Sequence, residues 1–216
     1  MTWSEKRGYF ARKLEQTGCR IPASEPLDRI VEGLAQCVRQ HHAAIDAAFL
    51  ARYPDEPFII AAVEEALRAV RSSPREFGIG AVLVEGDEVI ARAHNSQLGR
   101  NRTDLHAEMT LMTDYEERTK AERKTLAYAP SLRLYSSTEP CPMCYLRTVI
   151  AGVSTYYGAS SEEDGMAHLR DKLPHSWAAA ARRVKCGPAR SSPTINAIAE
   201  ALFYSYARFE AFAHLK

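Results

Sequence analysis

Apolar residues recur about every four positions in the first third of the chain, which is the spacing of one face of an α-helix. In the N-terminal stretch these residues are Ile30, Leu34, Val38 and Ile45. A second stripe runs from Phe58 to Val70, after a proline-and-acid segment that favours a helix start, and 72–74 ends it. We therefore expect a helical N-terminal extension over 1–53 and a main domain over 54–216.

The period of the pattern changes to that of β-strands after Phe77. Residues 78–84 predict a buried strand, and 88–93 predict its antiparallel partner across a tight turn at 85–87. Beyond this hairpin the predicted elements are a helix from near His106, a strand at 132–136, a helix from Cys141 and a strand at 153–157. Strands that alternate with helices indicate an α/β sheet covered on both faces, with ligand sites where strands lead into helices.

The chain closes with a further helical stripe, which we expect to lie in the core or in a dimer interface. Its members are Ile195, Ile198, Ala199, Leu202, Tyr206, Phe209 and Ala213. The preceding segment 177–190 has no assigned element. It begins with Trp177, for which core packing is the expectation and a cover over the active site the alternative. It also holds the basic residues Arg182, Arg183, Lys185 and Arg190. Such a group is most often a solvated face, and the alternative is a contact with phosphate or RNA.

The composition is that of an ordinary globular domain with balanced charge. Lys plus Arg number 28 against 27 Asp plus Glu in 216 residues, a formal net charge of +1, and 46% of the residues are hydrophobic. This balance excludes a bulk electrostatic field that draws a protein onto nucleic acid or acidic membranes. Neither a signal-peptide pattern nor an apolar run long enough to span a membrane is present, so we expect no membrane partner and a cytoplasmic location.

The five cysteines are an odd number in a chain without an export signal. A disulfide framework is therefore not expected, and metal binding or catalysis is the better hypothesis for some of them. Cys19, Cys37 and Cys186 are scattered along the sequence, and we expect all three to be inert thiols.

Two motifs supply metal-binding chemistry: H-x-E at 106–108 and P-C-x-x-C at 140–144. Cys141 and Cys144 lie three residues apart at a predicted helix start, so their side chains share one face of its first turn. Together with His106 they form a three-ligand set that selects zinc and leaves a fourth tetrahedral position for water, as in catalytic sites.

Glu108 lies two residues beyond the histidine ligand. At this spacing a carboxylate stays close to the metal site without joining it, which is the placement that a proton shuttle requires. We expect Glu108 to act as general acid and base.

These motifs resemble the signature of the cytidine-deaminase-like superfamily of zinc deaminases. The stretch Thr138-Glu139-Pro140-Cys141-Pro142-Met143-Cys144, a histidine as first ligand, and Asn95 eleven residues before it are similar to the branch of guanine deaminases and tRNA adenosine deaminases. The resemblance covers about 58–172, including Tyr157-Gly158-Ala159-Ser160. It implies a three-layer α/β/α sandwich with a central mixed sheet, here with a helical N-terminal extension and a C-terminal helix, usually assembled as a homodimer.

The resemblance also implies roles for individual residues. His106, Cys141 and Cys144 would bind one Zn²⁺ per chain, and Glu108 would move protons. Asn95 and the backbone amide of Ala107 would hold the edge of the base. The reaction would replace the amino group of an aminated ring by a carbonyl and release ammonia.

Three departures from that branch bear on the substrate: Tyr145-Leu146-Arg147 after the second cysteine, Ser160-Ser161, and Asp104-Leu105 before His106. The first bears on the wall of the pocket, and the last two argue against tRNA. The balanced charge favours a free base or nucleoside, and the context of Asn95 and Thr138-Glu139-Pro140-Cys141, which is most similar to guanine deaminases, puts a guanine-like purine first. The alternatives are an adenosine deaminase that acts on tRNA or another RNA, so that nucleic acid is a possible but not favoured partner, and a non-catalytic partner subunit with the deaminase fold. An intact Glu108 argues against the last.

Overall fold

The computed structural model describes residues 3–21, 27–73, 76–122, 131–161, 165–166 and 172–205. The helices are α1 (Trp3–Gln16), α2 (Leu27–Ala43), α3 (Ala47–Arg52), α4 (Glu56–Ser72), α5 (Gln97–Arg100), α6 (Ala107–Thr119), α7 (Pro142–Ala151), α8 (His175–Ala181) and α9 (Pro193–Ser205), with a short 3₁₀ helix at Lys120–Glu122. The strands are β1 (Gly80–Glu85), β2 (Glu88–His94), β3 (Leu132–Thr138), β4 (Ser154–Ala159) and β5 (Cys186–Pro188).

The strands form one mixed sheet in the order β2-β1-β3-β4-β5. β1 pairs antiparallel with β2 and with β3, whereas β3, β4 and β5 run parallel to one another. Gly86 makes the tight turn between β1 and β2 with φ +59°, a conformation that glycine adopts without strain. The carboxyl ends of β3 and β4 lie side by side, since Thr138 pairs with Ala159.

Side chains of β1 alternate between the two faces of the sheet and so define two helical layers. Val82 and Val84 belong to one apolar cluster with α4 and α9, and Ala81 and Leu83 belong to another with α6. A third cluster joins α7 and α8. The three-layer α/β/α sandwich with a mixed central sheet is thereby confirmed.

The helices α1 and α2 pack against the same core as α4 and α9. Leu14 of α1 and Leu34 of α2 are buried in that shared cluster. A polar cluster also joins α2 to the start of α4: His41 contacts Glu56, which accepts hydrogen bonds from the backbone N–H and hydroxyl of Ser192. The domain boundary at residue 53 stays a prediction.

One expectation about the cysteines is wrong: Cys19 and Cys37 form a disulfide. Cys19 follows α1 after a turn at Gly18 (φ +86°), and this turn brings its Cα within 5.7 Å of that of Cys37 on α2. The expectation failed for two reasons. An odd number of cysteines does not exclude one disulfide, and the sequence does not show that α1 and α2 pack close together. Cys141, Cys144 and Cys186 do not take part in a disulfide.

The unassigned segment 177–190 contains most of α8 and the three-residue strand β5. Trp177 is partly buried and packs against the cluster between α7 and α8. Tyr206, Phe209 and Ala213 of the C-terminal stripe lie outside the described residues, while Ile195, Ile198 and Leu202 are fully buried. Within the described ranges, no helix combines the length and apolar character needed to cross a membrane.

Candidate active site and zinc centre

Two helix starts meet beyond the carboxyl end of β3. His106 is the residue before α6, and Cys141 is the residue before α7, whose first position is Pro142. The first position of a helix favours proline, because the backbone N–H that proline lacks would have no partner within the helix. His106 Nδ1 lies 3.6 Å from Cys141 Sγ, and Cys144 follows on the first turn of α7.

The side chains of His106, Cys141 and Cys144 can hold one metal ion, because their ligand atoms all lie within 4.8 Å of one another. One imidazole and two sulfur donors suit Zn²⁺ better than the hard ions Mg²⁺ or Ca²⁺. A zinc ion held by three protein ligands lowers the pKa of a bound water towards neutrality and so prepares it for attack. The donor set therefore fits the expected cofactor, one zinc per chain.

The two thiols differ in acidity before any metal binds. The hydrogen bond from Cys144 and then the one with His106 lower the pKa of Cys141 to about 4, against the opposing effect of burial. The same thiol–thiol bond, with burial, raises the pKa of Cys144. For His106, burial lowers the pKa, but the hydrogen bond to Cys141 and its charge outweigh burial and raise it. A thiolate at Cys141 is ready to bind a cation.

Glu108 lies in the first turn of α6 and is only 3% exposed. Ser136 of β3 donates a hydrogen bond from its hydroxyl to Glu108 Oε1 at 3.0 Å, and this bond fixes the carboxylate. Burial, followed by the charge of Cys141, raises the pKa of Glu108. A carboxyl group that is held in place beside the metal ligands can take up and release a proton.

Asn95 lies just after β2 and is fully buried. Its Oδ1 accepts a hydrogen bond from the Ala107 backbone N–H at 2.9 Å. Its Nδ2 donates to Gln97 Oε1 at 3.0 Å and to Glu76 Oε1 at 3.3 Å. The structure thus joins the two residues expected to hold the base, and their contact with a substrate stays a prediction.

Three neighbours of these residues were not found from the sequence: Glu76, Gln97 and Ser136. None belongs to a motif, and each makes its contact across a turn or from another strand. The one available signal was that a buried asparagine needs hydrogen-bond partners, which does not say where along the chain they come from.

A model of the cytidine and deoxycytidylate deaminase zinc-binding region matches residues 52–159, which include both motifs. The chain belongs to this family. It is similar to the tRNA-specific adenosine deaminase of Bacillus subtilis, with 37% identity over 112 residues, 51% of this chain and 65% of that protein. It is also similar to tRNA(Ile)-lysidine synthase of Thermus thermophilus, with 35% identity over 133 residues, 62% of this chain and 24% of that protein. The chain thus covers less than two thirds of either relative.

Among solved structures, guanine deaminase from Nitrosomonas europaea superimposes with a TM-score of 0.52 at 18% identity, over 67% of this chain and 82% of that chain. This likeness supports the fold of the zinc-binding deaminase family.

The structure locates the residues at which the sequence departs from the branch of guanine deaminases and tRNA adenosine deaminases. Tyr145 is buried in the cluster between α7 and α8, and Arg147 forms an ion pair with Glu116 of α6. The backbone N–H of Ser161 donates to Glu139 Oε2 at 3.0 Å. Asp104 is exposed, and its hydrogen bond with Arg102 lowers its pKa.

Arg182 and Lys185 of the basic segment lie near the end of the sheet at which β4 begins. Lys185 donates its backbone N–H to Ser154 at the start of β4, and Cys186 pairs with Thr155. Arg182 and Lys185 are exposed at this end of the sheet, whereas the zinc ligands follow the opposite end of β3. A ligand at the zinc site would have to extend along the sheet to reach them.

Proposed function

We propose that this protein is a zinc-dependent hydrolytic deaminase that converts an adenosine of a tRNA to inosine. The observation that carries the chemistry is the placement of Glu108 beside the donor set of His106, Cys141 and Cys144. The choice of tRNA as the substrate is supported by 37% identity with a tRNA-specific adenosine deaminase and 35% identity with a tRNA(Ile)-lysidine synthase. Free guanine-like purines came first on the sequence alone, and these relatives reverse that order.

In the proposed reaction Glu108 removes a proton from the attacking water, and Ser136 keeps its carboxylate in place. Glu108 then delivers protons to the ring nitrogen and to the departing amine. Asn95 holds the edge of the base beside this carboxylate. The purine carbon gains a carbonyl oxygen from water, and one ammonia leaves for each inosine formed.

An exposed cation on the short helix that follows Asn95 supports an RNA substrate. Arg100 ends the short helix α5, which begins at Gln97, two residues after Asn95, and its side chain is exposed. It forms no ion pair within the described part of the chain, so it is available to a phosphate of a flipped nucleotide.

A free purine base such as guanine is the second candidate. The net charge of +1 favours it, as does the pairing of Arg102 with Asp104 on the same loop, which leaves fewer cations for a polyanion. The homodimer and the cytoplasmic location stay predictions.

The test is ammonia and inosine formation by the zinc-loaded protein on tRNA, adenosine, adenine, guanosine and guanine, with Glu108→Gln as the blank. We expect turnover on tRNA, with a KM that rises steeply with salt because phosphate contacts release counterions. Arg100→Ala should raise that KM, and Arg182→Ala, the matched change at the opposite end of the sheet, should raise it less. Turnover of guanine without tRNA would replace the first candidate by the second, and silence on every substrate would favour a non-catalytic subunit.

A further inference from the structure

A buried carboxylate outside both motifs holds the loop that carries Asn95. Glu76 lies between α4 and β1 and has no exposed surface. Its Oε2 accepts the backbone N–H groups of Leu98 at 3.0 Å and Gly99 at 3.1 Å. Its Oε1 accepts Asn95 Nδ2 at 3.3 Å and the N–H of Phe77 at 3.2 Å. Four donors therefore converge on one carboxylate, which is an acceptor on both oxygens.

These contacts determine which way the Asn95 amide points. The Ala107 backbone group is an N–H, so the Asn95 atom that faces it has to be the oxygen. The Asn95 nitrogen then faces Glu76, and only a group that accepts on that side satisfies it. A reversed amide would place two donors together at Ala107 and two acceptors together at Glu76.

The second N–H of the Asn95 amide goes to Gln97, which is half-buried on α5. Gln97 can exchange this bond for one with water, whereas the fully buried Glu76 cannot. The Gln97 bond is therefore the one that a substrate would replace. With its orientation fixed, Asn95 offers the base a donor, which recognises an acceptor such as a purine ring nitrogen or a carbonyl oxygen.

We propose that Glu76 is a positioning residue for substrate binding: it fixes the Asn95 amide so that an N–H faces the base, and it anchors α5 beside the site. This inference rests on the proposed role of Asn95 in binding the base. Glu76 itself touches neither substrate nor metal.

The first test is Glu76→Gln, which keeps the shape of the side chain but turns one acceptor into a donor. The matched control is Glu56→Gln, because Glu56 is also fully buried and accepts from His41 and Ser192 away from the zinc site. We expect Glu76→Gln to raise KM about 10- to 100-fold, as expected for a lost hydrogen bond to a charged group, with kcat changed less and zinc retained. Glu56→Gln should lower Tm about as much as Glu76→Gln does, because both changes alter a buried carboxylate, but it should leave KM unchanged. Equal KM values for the two variants would overturn the proposal.

The second test is the swap Glu76→Gln with Asn95→Asp. The new pair keeps the bonds from Leu98 and Gly99, restores the bond from Ala107 and leaves the net charge unchanged, while the bond from the Phe77 N–H is lost in both variants. Residue 95 then no longer carries an N–H for the base. We expect hydrogen exchange at the Ala107 amide to be fast in Glu76→Gln and slow again in the swap, while KM stays raised. A swap that also restores KM would show that Glu76 serves the fold alone and would overturn the proposal.

The exchange measurement separates this inference from the proposed function. If the wild-type protein is inactive on every substrate, the proposed function fails, and amide exchange still reports the role of Glu76. Exchange at Ala107 that is no faster in Glu76→Gln than in Glu56→Gln would then overturn the inference on its own.

Discussion

The buried carboxylates of this protein differ in role because their partners differ. Glu108 lies beside the metal ligands and accepts from one serine hydroxyl, so it is placed to exchange a proton. Glu76 is surrounded by four N–H donors and fixes geometry instead. Glu56 joins α2, α4 and the start of α9. One residue type thus serves chemistry, positioning and packing, according to the donors that the fold brings to it.

Buried threonine hydroxyls also differ in their hydrogen-bond partners, and removal of one that has none should stabilise the protein. Thr155 of β4 is fully buried, and its Oγ1 has no hydrogen-bond partner among the described residues. Thr155→Val removes that unsatisfied group at nearly constant volume, so we expect the free energy of unfolding to rise by about 1 kcal/mol. Thr148→Val is the control, because the Thr148 hydroxyl donates to Tyr145 O at 2.8 Å, and its loss should cost about 1 kcal/mol. Urea unfolding measures both, and a Thr155→Val protein less stable than wild type would contradict the prediction.

At the residue scale, the sequence predicted the residues that carry the chemistry but not the residues that hold them in position. The ligand spacing places Cys141 and Cys144 on one turn of any helix that begins there, so the zinc set was predictable. The role of Glu76 depends on backbone amides about twenty residues further along the chain, which come near it only after β1 and β2 pair. No local pattern carries that information.

At the scale of elements, α4 approaches β1 closely where the strand begins. A Cβ on Gly80 would lie 2.2 Å from Ala62 O and 2.4 Å from Ala66 N, both backbone atoms of α4. This close approach fixes the position of α4 over the sheet, and the chain that follows α4 contains Glu76. The absence of a side chain at Gly80 is therefore a condition for the site geometry.

Gly80→Ala should be strongly destabilising, because backbone atoms cannot move aside as a flexible side chain does. We expect a cost at or above the roughly 1–3 kcal/mol typical of overpacking, seen as a lower Tm or as insoluble protein. Gly187→Ala in β5 is the control, since a Cβ there meets nothing within 4 Å. Similar Tm values for the two variants would refute the close contact.

The periodicity of the sequence predicted the longer elements and missed short ones, among them α5, α8 and β5. The stripe from Phe58 to Val70 is helix α4, and the hairpin is β1 and β2, because each repeats its pattern over several residues. β5 has only Cys186–Pro188, too few residues for an alternation to appear. It becomes a strand through its pairing with β4, which is a tertiary effect.

At the scale of the whole molecule, the helices α1 and α2 are linked to one another and to the core that they share with α4 and α9. The disulfide joins the end of α1 to α2, and Lys13 of α1 pairs with Glu200 of α9. Leu14 and Leu34 complete the core under α4 and α9. The sequence predicted helices here but not the cross-link, because cysteines 18 residues apart approach only when two helices pack.

Cys37→Ser should lower the free energy of unfolding, because the cross-link restricts the unfolded chain. A loop of this length is worth about 3 kcal/mol in the chain-entropy model. We expect dithiothreitol to lower the Tm of the wild-type protein and of Cys186→Ser, and to leave that of Cys37→Ser unchanged. A wild-type Tm that does not respond to the reductant would show that the bond does not contribute.

The central claim is that Glu108 moves protons in a zinc-dependent deamination, and the most direct measurement is turnover by zinc-loaded Glu108→Gln. Glutamine keeps the shape and the contact with Ser136 but cannot shuttle a proton, so we expect ammonia release to fall by roughly 10²- to 10⁴-fold. Zinc analysis of the same sample should still give one ion per chain, because Glu108 is not part of the donor set. Wild-type turnover by the zinc-loaded variant would contradict the account.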